Sequence, residues 1–397
     1  MRILTVLTYY RPHTSGLTIY AERLAEALTR RGHQVTVMTM QYDPELPREE
    51  EQKGVRILRV PVLMRVSKGT IAPGFGGLAT RLVRQHDIVH LHLPQFDAPG
   101  VALRGRLMGK PTVLTYHCDL QLPKGLFNRL VNQVVILMNH LAARLADRIV
   151  TYTQDYADHS AYLSRYSQKL HIIPPPVELP SPTSAAVESF ARQHHTDERR
   201  PTIGMAARFA AEKGVDILLQ ALPRILEKYP HAQVLFAGQY QDVMGEQEYY
   251  QRLMPTIQKY QAQNHWEFLG NLNPVQIAAF YPNLDVLVVP SLNSTEAFGL
   301  VQIEAMMNGT PCVASSLPGV RQPVRTTGMG EVVPIGDSSA LADAILRIVD
   351  QPKRYQADAR TIARRFTPDA IAAEYETMFL ELLESKKQTQ AINQFHD

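Results

Sequence analysis

The stretch DVLVVPSLNSTEAFGLVQIEAMMNGTPCVAS, residues 285–315, contains one full repeat of the pattern on which the chain is built. Residues 285–291 are β-branched and apolar and predict a buried strand. The polar LNSTEAFG that follows is a loop. LVQIEAMMNG predicts a helix that starts near Leu300 and stops at Gly309, and PCVAS predicts the next strand. Strand, loop, helix and strand in succession describe a parallel β-α-β unit. Glu296 and Glu304 stand eight positions apart in it, with Gly299 between them. Glu296 falls in the loop and Glu304 just beyond the first helical turn, so the two do not share a regular helix face.

The same alternation extends in both directions. PTIGMAAR, AQVLFAG, WEFLG and GEVVPIG read as strands of the C-terminal half, separated by helices such as GVDILLQALPRILEKYP and SSALADAILRIVDQ. In the N-terminal half RILTVLTYY, QVTVMTM, GVRILRVPV, DIVHLHL, PTVLTYH, RIVTYT and KLHIIPPPV read as strands. LTIYAERLAEALTRRGH is an amphipathic helix that ends in cations and a glycine. Pro174, Pro175 and Pro176, with ELPSPTSAA after them, mark a break, and a polar helix follows near residues 185–195.

The expected fold class is therefore α/β: two Rossmann-like, doubly wound domains facing a central cleft. Residues 1–180 form the N-terminal domain, 181–200 a linker and 201–367 the C-terminal domain. Residues 368–385 form a last helix that packs back towards the N-terminal domain, and 386–397 a disordered polar tail. A length of 397 residues suits two cores better than one. Neither half carries G-x-G-x-x-G after its first strand, and no G-x-x-x-x-G-K-[ST] occurs, which disfavours a dehydrogenase or a P-loop enzyme.

Composition, at 45% hydrophobic and 20% charged, is that of an ordinary soluble protein. Cys118 and Cys312 fall in different halves and form no disulfide framework, so a cytoplasmic location is expected. No apolar run has the length of a membrane span. Residues 1–180 carry 22 Lys and Arg against 14 Asp and Glu, whereas the remainder carries 19 against 24. The basic half suits anionic headgroups or phosphates, or is simply one pole of a dipolar surface. Within it, Phe127, Leu130, Val134, Leu137, Leu141 and Leu145 recur at helical spacing, flanked by Lys124, Arg129, Arg144 and Arg148. That pattern fits a helix lying peripherally on an anionic membrane surface, and equally a helix packed on a core. No nucleic-acid partner is indicated.

Candidate chemistry sits at predicted strand ends. Arg208 and Lys213 stand five apart in a strand-to-helix loop, with Gly214 next. Two cations beside a helix start suit a diphosphate, and also suit a solvated basic loop. In the opening stretch, the amides of Phe298, Gly299 and Leu300 are unpaired helix-start donors, and Gly299 allows close backbone approach. Carboxylates accept paired hydrogen bonds from adjacent hydroxyls, as on sugars. Capping for Glu296 and helix-dipole placement for Glu304 are the plainer alternatives. His117 ends the strand PTVLTYH and is a functional or a packed structural histidine. Cys118 beside it is expected to be a small buried residue. His90 and His92 are expected on opposite faces of their strand, a poor metal pair. No Asp-x-Asp occurs, so no carboxylate pair for a metal-bound nucleotide sugar is present.

Taken in order, RFAAEKG, FLGNLNP, PSLNSTEAFGLVQIEAMMNGTPCVAS and LPGV…GMGEVVPIGD closely resemble the C-terminal domain of the retaining glycosyltransferases of family 4, which have the GT-B fold. Glu296 and Glu304 match the E-x7-E pattern of that family. YYRPHTSGLTIYAERLAEALTRRGHQVTVMT resembles its opening strand, glycine loop and helix. Ser15-Gly16 stands where the family often has two glycines, and Pro175-Pro176 where it often has Asn-Gly.

The resemblance implies a retaining hexosyltransferase that uses a UDP- or GDP-linked sugar and a glycan or glycolipid acceptor, with no metal and no other cofactor. Arg208 and Lys213 would hold the diphosphate, and Glu296 the hydroxyls of the donor sugar. Phe298, Gly299 and Leu300 would offer amides, and Glu304 would bind the ribose. Gly270, Asn271 and Leu272 would lie near the base, Gly16 at the β-phosphate and His117 near the reacting sugar. A nucleotide-sugar-binding module without transfer activity, or a GT-B epimerase or phosphorylase, would share the architecture. The phosphorylase would need a cofactor-lysine context that the chain lacks.

Overall fold

The computed structural model describes residues 1–66, 69–120 and 126–394. It divides into two compact units, Met1–Pro176 with Phe366–Asp397, and Val177–Arg365. The first contains strands β1 (Arg2–Val6), β2 (Gln34–Gln41), β3 (Glu49–Gln52), β4 (Val55–Pro61), β5 (Met64–Val66), β6 (Gly69–Ile71), β7 (Ile88–Leu93), β8 (Thr112–Tyr116), β9 (Arg148–Thr151) and β10 (Leu170–Ile172). Eight of them form a sheet in the order β10-β9-β8-β7-β1-β2-β4-β3, while β5 and β6 make a separate antiparallel pair. The central strands β1 and β7 are almost wholly buried. Helices cover both faces of such a sheet, so its strands read as near-continuous apolar runs. The chain leaves β1 towards β2 and later returns on the other side to β7, so the strand order reverses at β1.

One edge strand has no apolar signal. Residues 49–52, Glu-Glu-Glu-Gln, pair antiparallel with β4. Glu49 accepts from Arg56 at 2.7 Å, and Glu50 pairs with the buried Arg59. A short, strongly charged edge discourages pairing with another chain.

The last helix, Pro368–Gln394, belongs to this first unit and continues past Ser385 into the polar segment expected to be a tail. Lys, Gln and Ala there are good helix formers but supply no apolar stripe. Lys386 is anchored to Asp147 at 2.8 Å. Nearer its start, Ile371, Tyr375 and Phe379 are fully buried. Glu376 accepts from Arg31 Nε at 2.9 Å and bonds His33 Nε2 at 2.8 Å.

The second unit contains β11 (Thr202–Ala206), β12 (Gln233–Ala237), β13 (Trp266–Gly270), β14 (Val286–Val289), β15 (Cys312–Ser315) and β16 (Gly330–Val333). These run parallel in the order β13-β12-β11-β14-β15-β16. This is a doubly wound Rossmann sheet, and its order reverses between β11 and β14. Ile203, Phe236, Val286 and Val288 pack with Leu218, Leu222 and Ile225 of the helix Val215–Lys228 and with Leu341 and Ile345 of the helix Ser338–Asp350. Each such side chain contributes about 1.5–3 kcal/mol by leaving water. The stretch 285–315 is thus β14, a loop, the helix Leu300–Met306 and β15.

Because Tyr375 is wholly buried and its hydroxyl bonds both Tyr20 and Thr115 at 2.7 Å, Tyr375→Ala should lower stability by about 3–5 kcal/mol. Urea unfolding followed by circular dichroism measures this. An unchanged midpoint would show that the last helix is no part of the first unit's core.

Candidate active site

In the second unit, the loops after β11 and β14 emerge side by side at the carboxyl ends of adjacent strands. After β11 come Arg208 and the short 3-10 turn Ala211–Lys213. Gly214 then takes a left-handed conformation, φ 73°, at the start of the helix Val215–Lys228. A Cβ on Gly214 would lie 2.2 Å from the carbonyl oxygen of Pro290, so a glycine is what lets the two loops touch. A backbone bond from Leu292 N to Glu212 O, 2.8 Å, joins them.

Lys213 and Glu296, the lysine of one loop and the glutamate of the other, meet at 2.6 Å. Both side chains are about four-fifths buried, at 19% and 22% exposure. The other carboxylate oxygen of Glu296 accepts from the amide of Gly299 at 3.0 Å. This corrects one expectation: the Gly299 amide is not an unpaired donor, because Glu296 caps it. Gly299 itself has φ 76° and leads into the helix Leu300–Met306. Phe298 is buried and Leu300 half-buried. Arg208 is the more exposed cation and pairs with Glu212 at 3.1 Å. Both cations therefore stand opposite a carboxylate.

Glu304 lies on that helix, 9% exposed, and accepts from the hydroxyl of Tyr281 at 2.8 Å. Gly270 ends β13 with φ 67°, and Asn271 after it is exposed. Leu272 lines a 350 Å³ cavity together with Phe190, His194, Glu267 and Gln276.

In the first unit, Ser15 supplies the N-cap of the helix Gly16–Arg30. Its hydroxyl accepts from Thr18 N at 3.2 Å, and Thr18 Oγ1 accepts from Ser15 N at 2.8 Å. That capping box accounts for serine beside Gly16. A Cβ on Gly16 would meet nothing within 4 Å. Tyr20, one turn on, stands edge-on to His117 at 5.0 Å between ring centroids.

His117 follows β8 and is 6% exposed. Both its ring nitrogens are engaged: Nε2 with His92 Nδ1 at 2.8 Å, and Nδ1 with the hydroxyl of Tyr152. His92 Nε2 is buried and has no hydrogen-bond partner among the described residues. A proton on His92 Nδ1 leaves that orphan as an acceptor, whereas the reverse tautomer would bury an unpaired N–H, the rarer arrangement. His92 thus donates to His117, whose own proton sits on Nδ1 and points to Tyr152.

A second expectation is corrected here. His90 and His92 do not face opposite sides of β7; their rings lie 4.4 Å apart. The strand period is two, so residues two apart share a face. His90 Nε2 bonds Thr115 Oγ1 at 2.7 Å, and Thr115 bonds Tyr375 of the last helix. The sequence reading does not single out Tyr152, whereas the period of two already places His92 beside His90. Tyr281 left no signal at all. Cys118 is half-buried, not buried, while Cys312 is buried and its thiol pushed up by burial.

Among the described residues, no group of three or more His, Cys, Asp or Glu is placed to hold a metal ion. None of the helices among them is long and apolar enough to cross a membrane. On the helix Leu126–Leu145, Leu130 and Leu137 are exposed, at 64% and 53%. Its buried side is Asn139, Ala142 and Ala143. Lys124 and the side chain of Phe127 lie outside the described residues.

Comparison with known proteins bears on both units. Residues 14–180 match the family described as Glycosyltransferase Family 4. Residues 187–365 match Glycosyl transferases group 1. The chain is 28% identical over 392 residues to a phosphatidyl-myo-inositol mannosyltransferase of Mycobacterium leprae, covering 95% of this chain and 97% of the relative. It is 28% identical over 376 residues to a 2-deoxystreptamine N-acetyl-D-glucosaminyltransferase of Streptomyces fradiae, covering 90% and 86%. Among solved structures, HepE of Anabaena in complex with UDP superposes with a TM-score of 0.75 at 19% identity, covering 96% of this chain and 100% of that one. Sucrose-phosphate synthase of Thermosynechococcus elongatus gives 0.74 at 23%, covering 97% and 99%. At these identities the structural matches show the fold.

The histidine cluster makes a pH prediction. Burial holds His90 and His117 down to about 3 and His92 well below its ordinary value, the last two helped by neighbouring rings. Below pH ~6.5 the unfolded chain takes up protons on these rings that the folded chain refuses, down to about pH 3 for His90 and His117. Stability should therefore be complete above that upper limit and fall with acidification, by about 1.4 kcal/mol per pH unit for each histidine. Denaturant titrations across this range measure the slope, which His90→Asn should make shallower by about one proton. A flat profile would mean that the rings are not buried neutral.

Proposed function

The chain is a glycosyltransferase of the GT-B fold, with an N-terminal half of the family 4 type and a C-terminal half of group 1, and on that premise we propose that it moves a hexose from a UDP- or GDP-linked sugar to a hydroxyl of a glycolipid, polysaccharide precursor or small glycan, with retention at the anomeric carbon. The observation that carries this reading is the Lys213–Glu296 pair. It joins a phosphate-binding cation to a hydroxyl-accepting carboxylate where the strand order reverses.

In this reaction, departure of the diphosphate is the difficult step. Arg208, Lys213 and the amides at Phe298 and Leu300 stabilise the charge that develops on it. These groups carry out the task that a carboxylate-held metal performs elsewhere, so the transfer proceeds without one. Glu296 holds hydroxyls of the donor sugar and Glu304 those of the ribose. Gly270, Asn271 and Leu272 border the base. Gly16 lets the β-phosphate approach the helix start, since no atom occupies the space where its Cβ would be. His117 serves the reacting sugar. Because both its nitrogens are bonded inside the unit, that role requires one bond, to His92 or Tyr152, to be exchanged for a sugar hydroxyl. The acceptor's proton passes to an oxygen of the leaving diphosphate as the new glycosidic bond forms on the same face.

Membrane-surface association on the cytoplasmic side belongs to the same proposal. It is supported by the exposure of Leu130 and Leu137 and by the basic balance of residues 1–180. Pelleting with anionic vesicles should remove the protein from solution, and less of it at high salt. No salt-sensitive binding to the anionic vesicles would end the membrane reading.

The central test is a thermal-shift screen with UDP, GDP and their sugars, followed by turnover with the sugar that binds. Ligand at a hundredfold excess over its dissociation constant should add about 2.7 kcal/mol of stability. Arg208→Ala and Lys213→Ala should each lower kcat by roughly 10²–10³ with the fold intact. Gly16→Val should raise KM for the donor without lowering Tm. Undiminished turnover in the Arg208→Ala/Lys213→Ala double variant would sink the diphosphate assignment.

A further inference from the structure

The loop between β1 and the helix Gly16–Arg30 decides where Gly16 stands, yet residues 8–15 belong to no helix or strand. We propose that Arg59 of β4 is a positioning residue for this loop and, through it, for the approach of the donor's β-phosphate to Gly16; this rests on the donor reading above. The Arg59 side chain is wholly buried. Its Nη2 donates to the carbonyl of Arg11, in the middle of the loop, at 2.9 Å and also pairs with Glu50 of β3. Its Nη1 donates to the carbonyl of Pro47, in the segment between β2 and β3, at 3.0 Å. Thr39 of β2 is the register partner of Arg59, and its hydroxyl donates to the carbonyl of Thr8 at 3.0 Å. Register partners on adjacent strands present their side chains to one face of the sheet. Thr39 and Arg59 therefore hold two carbonyls of the same loop from one row. At the far end, the Ser15–Thr18 capping box fixes the loop to the helix.

The choice of residue matters. Ile57, on the same face of β4, is buried and apolar, as a core position ordinarily is. A guanidinium taken out of water is unfavourable unless it is paired and hydrogen-bonded. Glu50 supplies the opposite charge, so the acidic edge strand has a use beyond discouraging another chain. What arginine adds is direction. Its planar fork reaches acceptors on two chain segments at once, whereas a lysine ammonium is a point charge on a flexible stem. The side chain of Arg11 turns to Glu22 of the helix at 2.7 Å, so it is the main chain of the loop that Arg59 grips. The rings of Tyr9 and His13 contact Tyr42, which joins the loop to the β2–β3 segment a second time. A loop ordered before the ligand arrives loses no further conformational freedom on binding.

The test is calorimetric binding of UDP and GDP, and of UMP and GMP, to the full chain and to Arg59→Lys, Thr39→Val and Gly16→Val. Gly16→Val puts a side chain into the open space beside the helix start and should weaken the diphosphate that binds by about tenfold. Arg59→Lys keeps a cation beside Glu50 and gives up the fork. It should also weaken the diphosphate by about tenfold, with the monophosphate changed less than about twofold. Thr39→Val, which releases only Thr8, should act in the same direction and more weakly. It stands in for Arg59→Lys if that chain fails to fold. The Arg59→Lys/Gly16→Val double variant should bind the diphosphate little worse than Gly16→Val alone, because both changes act on one contact.

A native chain that binds neither diphosphate would overturn the donor reading itself. Unchanged diphosphate binding by Gly16→Val would overturn the β-phosphate assignment and this proposal with it. A loss in Gly16→Val that neither Arg59→Lys nor Thr39→Val shares would overturn the role of Arg59 alone. Equal weakening of diphosphate and monophosphate by Arg59→Lys would mean that the arginine serves only the fold, and would also overturn the proposal. So would losses that multiply in full in the double variant, since Arg59 would then act elsewhere than at Gly16.

Discussion

A lysine and a glutamate pressed together at 2.6 Å hold the working end of the second unit in place. Lys213 and Glu296 come from loops that leave neighbouring strands in opposite topological directions, and most of the local detail follows from bringing them together. Gly214 must lack a side chain because the carbonyl of Pro290 stands where one would be. The second oxygen of Glu296 takes the Gly299 amide, which fixes where the helix Leu300–Met306 begins. As a source of net stability the pair is minor, since the cost of taking two charges largely out of water offsets their attraction. Its importance is geometric. On the proposed reading the bond is exchanged for a more highly charged partner and keeps both groups aligned until then.

The first unit is organised on another principle, a polar cluster sealed inside an apolar sheet. His90, His92, His117, Tyr20, Tyr152, Thr115 and Tyr375 are all buried and joined by hydrogen bonds or ring contacts. Two imidazole nitrogens, His90 Nδ1 and His92 Nε2, have no partner among the described residues. A buried polar atom left unpaired costs about 1–3 kcal/mol. A core built for stability alone would use leucine or valine there. Local departures of this kind concentrate where structure serves chemistry, and this one adjoins the strand end that carries His117. Through Tyr375 it also reaches the last helix, so a residue 258 positions after His117 in the sequence shares its network.

The doubly wound fold was legible because parallel strands, buried on both faces, write themselves as apolar runs between amphipathic helices. The signal fails where burial fails. β3 is Glu-Glu-Glu-Gln at an exposed edge, and the end of the last helix has good helix formers but no apolar stripe. Of the candidate site, the Arg208–Lys213 loop and the Glu296 loop could be placed at strand ends from spacing alone. Their meeting could not, because it depends on which strands are neighbours. His92 could have been read correctly, since a period of two puts it beside His90. Tyr281 could not, because a tyrosine before a strand looks like any other core aromatic until a carboxylate twenty-three residues later is seen to accept its proton.

The two glutamates that share one short stretch are therefore held in physically different ways. Glu296 has a lysine on one oxygen and a backbone amide on the other, so each oxygen already accepts one bond and keeps roughly one lone pair for a ligand. On the proposed reading its hold on a sugar strengthens when the lysine turns to a phosphate, because no adjacent cation then compensates the carboxylate. Glu304 lies on the helix and accepts from the hydroxyl of Tyr281. A proton relay would need the two in contact and matched in character. On the proposed reading the loop carboxylate is the conditional acceptor, because its partner lysine is the cation that a diphosphate would draw away.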